Sequence, residues 1–106
     1  MRILTLAIAA AATLASAGFA SAADKISDSQ FLAAARCTGL AEGSGQSAEA
    51  FQSYLKGQSK GRTGNIYDRA DKLRAQARHS AKIADETQKG VYARELSGAC
   101  AAYANG

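Results

Sequence analysis

The chain has 106 residues, with 13 Lys+Arg, 9 Asp+Glu, one His, two Cys and neither Pro nor Trp. That length allows one domain with a thin core. The formal net charge is a modest +4, and one His and two isolated Cys do not make a zinc-binding spacing.

The first element reads as an export signal. Met1-Arg2 is a short basic start, Ile3 to Leu14 is an uncharged apolar run, and Ala20-Ser21-Ala22 fits the small-residue cleavage rule. A spanning anchor needs about 20 mostly apolar residues, and Ser16 interrupts the run too early. Residues 1–22 are therefore expected to be cleaved as a signal peptide. Residues 23–106 are expected to form a single exported helical domain, periplasmic or extracellular. Neither Cys lies near the cleavage region to carry lipid.

The remainder is Ala-rich and poor in alternating β-branched residues, which predicts an all-α fold. The expected architecture is a small bundle of three to four helices, over about 28–42, 48–84 and 87–103, stapled by one disulfide. For the first helix, Ser27 and Gln30 form a capping box. Phe31, Ala34, Cys37, Leu40 and Ala41 then share one face. Gly43-Ser44-Gly45 ends the helix, and Ser47 can cap the next one, which carries Ala48, Phe51, Tyr54 and Leu55 on one side.

Gly57, Gly61 and Gly64 follow. They mark a break, or weaken one long helix, because each Gly costs about 1 kcal/mol against Ala in a helix interior. The apolar phase of Phe51 and Leu55 continues through Ile66, Ala70, Leu73, Ala77 and Ala84, as an unbroken helix would require. Both forms of the 48–84 segment remain open at this level, helix or hinge at Gly57–Gly64. In the last helix, Tyr92, Leu96, Ala99, Cys100 and Tyr103 form an amphipathic stripe.

Cys37 and Cys100 sit in the apolar stripes of the first and last predicted helices. An exported chain meets an oxidising compartment, so these two are expected to form a disulfide. The closed loop of about 60 residues would contribute roughly 4 kcal/mol by the chain-entropy model.

No catalytic constellation is visible, and the chain is expected not to be an enzyme. His79 is the only imidazole, flanked by Arg78 and Lys82, so any imidazole-based chemistry would have to use it. Asp85-Glu86 are adjacent on a helix and cannot share a site; a solvated face with Asp85 four residues before Lys89 is the simpler reading. The glycine stretch GQSKGRTG lacks the phosphate-loop pattern and a preceding strand. No cofactor or metal is expected.

The one surface feature with a functional reading is basic. Eight basic residues fall between Lys56 and Lys82, opposed by Asp68 and Asp71 alone. Arg74, Arg78 and Lys82 lie on one helix flank, with Tyr67 and Asp71 beside them. Like charges at i,i+4 repel slightly, so this flank is the candidate anion- or partner-binding face. Its candidate partners are an anionic envelope component or an acidic protein surface; the export signal argues against nucleic acid. Asp68–Lys72 pairing on a solvated helix is the plain reading of the same charges.

The plan is similar in outline to small periplasmic acid-stress chaperones and small secreted immunity proteins, without a shared motif, and no site is carried over. The expected function is that of a small exported, non-catalytic helical protein that binds another macromolecule or assists envelope stability. The alternative is a secreted effector, inhibitor or immunity factor.

Overall fold

Helix α1 (Asp28–Gly43) begins at the predicted cap. The Ser27 hydroxyl accepts from the Gln30 N–H, and the Gln30 side chain accepts from the Ser27 N–H (3.0 Å). The computed structural model describes residues 25–104; the expected export signal at 1–22 lies outside the described residues. Helix α2 (Glu49–Ser59), helix α3 (Gly64–Lys82) and helix α4 (Glu86–Ser97) follow, and a 3-10 turn spans Ala101–Tyr103. Among the described residues the fold is all-α, a small bundle of four helices closed by a Cys37–Cys100 disulfide with its Cα atoms 5.7 Å apart. Such bonds persist in oxidising compartments.

Helix α1 is the centre of the bundle. Its predicted stripe is buried, and so are Ala35, Thr38 and Gly39. More than half its circumference is covered because α2, α3 and the α4 end all pack on it. The Thr38 hydroxyl remains satisfied by donating to the Ala34 carbonyl (2.8 Å). Phe31, Ala34 and Ala35 meet Leu55, Ile66 and Ala70 at one end. At the other end, Cys37, Leu40 and Ala41 meet Phe51, Ala77, Leu96 and Cys100.

The contact between α1 and α3 is closer than ordinary side chains allow. Ala35, Gly39 and Gly43 recur every four residues, so they line one face of α1. A Cβ on Gly39 would collide with the Arg74 carbonyl, and one on Gly43 with the Arg78 carbonyl. These two glycines therefore let the backbones touch. Gly43 is at once a helix terminus, as its sequence neighbours suggested, and a packing residue.

The 48–84 segment is two helices. Lys60 is extended, with ψ at 132°, and Gly61 has φ +80°, a conformation that favours glycine. The phase continuity was real without being helical continuity: Ile66 and Leu55 face the same cluster from two separate helices. Ser47 does not cap α2; Ala48 occupies that position without a side-chain cap. Ala84 lies beyond the end of α3.

The predicted 87–103 helix is also shorter. It starts one residue earlier, because Asp85 accepts the Gln88 N–H at 2.8 Å and caps it. That capping role replaces the expected Asp85–Lys89 pairing; Lys89 lies 3.9 Å from Glu86 instead. The helix ends at Ser97, and the Cys100 N–H reaches back to the Glu95 carbonyl (2.9 Å). Cys100 is thus in a turn beyond the helix, and Ala99 is exposed rather than part of the buried stripe. No helix among the described residues is long and apolar enough to cross a membrane.

Candidate functional site

The basic flank of α3 faces the C-terminal end of α1, where Glu42 waits. Arg74 makes a two-point contact with it, Nε to Oε1 at 3.1 Å and Nη2 to Oε2 at 2.5 Å. Arg78 Nη1 reaches Oε1 at 3.1 Å, and Gln52 of α2 donates to Oε2 at 2.8 Å. Glu42 is thus a hub joining three helices. The Arg74 guanidinium hydrogen-bonded to it holds its carboxyl down at about 2, against an ordinary 4.5, with burial acting in the opposite direction. The same bond raises the Arg74 value.

Two of the three flank residues picked from sequence, Arg74 and Arg78, therefore share one carboxylate. Lys82 is exposed at the end of α3, beside Lys89 and next to Gly43 and Ser44 at the end of α1. Sequence reasoning counted the flank against Asp68 and Asp71 alone and missed Glu42. Glu42 is 32 positions from Arg74, and no local spacing links them. Neither Asp68 nor Lys72 forms an ion pair among the described residues.

Helices α2 and α3 diverge from their connecting turn and leave a groove of about 380 Å³ between them. Its floor is apolar: Phe31 of α1, Leu55 of α2 and Ala70 of α3, each less than a tenth exposed. Tyr67 stands at one side, 39 % exposed, its hydroxyl donating to the Ser59 carbonyl. Lys56 on the α2 bank opposes Asp71 and Arg74 on the α3 bank. Lys56 is exposed and has no ion-pair partner among the described residues.

The turn that sets the groove's angle is tied down by Arg62, a residue the sequence reading counted only as charge. Its side chain is 4 % exposed. Nε donates to the Gln58 carbonyl at 2.8 Å, Nη1 to Asp28 at 2.7 Å and Nη2 to the Ile26 carbonyl at 2.7 Å. The guanidinium also lies 4.5 Å from the centre of the Phe31 ring, a favourable cation–π geometry. Gln58 receives the Ile26 N–H, and the Lys25 ammonium donates to the Lys60 carbonyl. Residues 25–28 are thus clasped to the α2–α3 turn, and Phe31 serves as both groove floor and arginine platform. Within the glycine stretch, the Gln58 and Lys60 carbonyls are taken up by this clasp.

His79 lies exposed in the last turn of α3. The groove carries a carboxylate, two cations and a phenol over an apolar floor. That set can hold an apolar group and pair with charge. Comparison with protein-family models, with curated proteins and with solved structures finds no match.

Proposed function

We propose that the chain is an exported, non-catalytic binding protein that receives another macromolecule in the groove between α2 and α3. The observation that carries this is the groove itself: an open cleft whose apolar floor draws on three helices and whose divergence is held by the Arg62 clasp. Clefts with apolar walls and a few placed polar groups are the usual form of a binding site. The Cys37–Cys100 bond supports export, in agreement with the signal pattern at 1–22.

The basic flank enters this reading as one bank of the cleft. Arg74 belongs to the lining, while Arg78 and Lys82 extend the same bank away from it.

Two measurements test the proposal. Mass spectrometry of the protein recovered from the producing cell should find an N-terminus at or near Ala23; intact Met1 in a membrane fraction would overturn export by cleavage. A pull-down with the oxidised protein should retain a partner that the Lys56→Glu variant loses. A partner held equally by both proteins places the contact outside the groove.

A further inference from the structure

We infer that the occupant of the α2–α3 groove is a second copy of this chain, which seats Ile83 of its α3–α4 corner on the Phe31–Leu55–Ala70 floor. This rests on the groove being the docking site and names what fills it.

The groove asks for an apolar anchor on a segment without net charge. Lys56, Arg74 and Asp71 are the charged residues of its lining, and Arg74 is already paired with Glu42. Asp71 lies in the field of Arg74 without forming an ion pair among the described residues, and Lys56 forms none either. Outside the lining, Lys60 and Arg78 are matched in number by Glu49 and Asp68. One bank thus offers an ammonium and the other a carboxylate, on either side of an apolar floor. The volume of about 380 Å³ is at the low end for ligand pockets, which run from about 300 to 1,000 Å³. It takes one side chain and its immediate neighbours.

The chain itself carries the complement. Ile83 is 69 % exposed, against 39 % for Tyr67 and Val91, the other exposed large apolar side chains among the described residues. Tyr67 already stands in the groove wall, and Val91 lies along the flank of α4. Ile83 directly follows α3 at a corner between helices, where a side chain can reach a recessed floor. A lone exposed apolar residue needs no explanation by itself; its charged neighbours make the case. Lys82 precedes it, exposed and without an ion-pair partner among the described residues. Glu86 follows it, with its side chain 95 % exposed and Lys89 3.9 Å away. Lys82, Asp85, Glu86 and Lys89 leave residues 82–89 without net charge. With Ile83 on the floor, Lys82 answers Asp71 on the α3 bank and Glu86 answers Lys56 on the α2 bank. Such pairs fix register, while the buried anchor supplies affinity. Groove and corner are separate patches, so the seating is either reciprocal, closing a dimer, or head-to-tail.

The test is sedimentation equilibrium of the oxidised protein, whose mass should rise with concentration. Ile83→Ser removes the anchor and Ala70→Met raises the floor, so each should weaken self-association by at least about tenfold. An equimolar mixture of the two should recover a one-to-one pair, because the first still has the groove and the second still has the corner. Lys56→Glu should also weaken association, and Lys56→Glu combined with Glu86→Lys should restore it. Both of those positions are exposed, which keeps the test readable if Ala70→Met fails to fold. A protein still monomeric at about 1 mM would overturn the second copy as occupant. So would self-association that survives Ile83→Ser, or a charge swap that restores nothing. If that monomeric protein nevertheless retains a foreign partner that Lys56→Glu loses, the groove remains the docking site and only its occupant changes.

Discussion

At the scale of single residues, Glu42 and Gly39 decide more than their types suggest. Glu42 is one carboxylate satisfying two arginines and a glutamine from two other helices. Its carboxyl is more acidic folded, at about 2, than at its ordinary 4.5. The stabilisation it contributes is therefore complete above about pH 4.5 and is lost as pH falls toward 2. Glu42→Gln should lower stability at neutral pH by about 1.5–3 kcal/mol, the range for hydrogen bonds to charged groups. It should also flatten the dependence of the denaturation midpoint on pH across that acid window; an unchanged profile would count against the hub. Gly39 makes the opposite of the usual helix prediction. Gly→Ala inside a helix normally stabilises by about 1 kcal/mol. Here the added Cβ meets the Arg74 backbone and lies 3.0 Å from the Ala77 Cβ, so Gly39→Ala should destabilise by about 1–3 kcal/mol through overpacking. Thermal melting distinguishes the signs.

At the scale of elements, the glycines between α2 and α3 separate into different roles. Gly57 lies inside α2 with open space around it, and Gly61 holds φ +80° in the turn. Gly57→Ala should raise stability by up to about 1 kcal/mol, and Gly61→Ala should lower it by about 1–2 kcal/mol through the left-handed backbone. Equal effects at both sites in chemical denaturation would mean that the segment behaves as one helix. The three glycines were legible as punctuation in the sequence, yet whether they broke the helix was not. Apolar phase is set by which side chains face the core, and both α2 and α3 face the same cluster. Helix α4 shows a related limit. Its stripe was readable, but Gly98 ends the helix, and of its residues Leu96 alone is fully buried. Its attachment therefore depends on the Arg36–Glu95 pair at 2.9 Å and on the disulfide just beyond its end.

At the scale of the whole molecule, the disulfide closes a separation of 63 residues and joins the central helix to the C-terminal turn. The chain-entropy model gives such a loop roughly 4 kcal/mol. Replacing both cysteines by Ser should cost about 2–5 kcal/mol, the range for losing such a bond in a small domain. Because α4 buries so little of itself, hydrogen exchange in that variant should rise first across Glu86–Ser97 and last in α1. Unchanged melting would show that packing alone holds the bundle. A loss of protection spread evenly over all helices would show that α4 is not the weak element. The clasp of residues 25–28 acts at the opposite end, tying the start of the described chain to the α2–α3 turn through Arg62.

What the sequence determined by itself is local or arithmetical. The Ser27–Gln30 box depends on groups three residues apart, so the α1 start was readable from a tetrapeptide. Helical class followed from Ala content and apolar period, and two cysteines admit one intramolecular pairing. What the tertiary structure decided depends on which faces meet. Glu42 finds Arg74 and Arg78 across a helix contact that two glycines permit, so the basic flank carries less free charge than its own helix implies. Arg62 is buried because the chain start folds over it, and the groove exists because α2 and α3 diverge above Phe31. Neighbours within a turn set capping and period. Charge balance and cavity shape are set by residues on different helices, and those are assembled only when the helices pack.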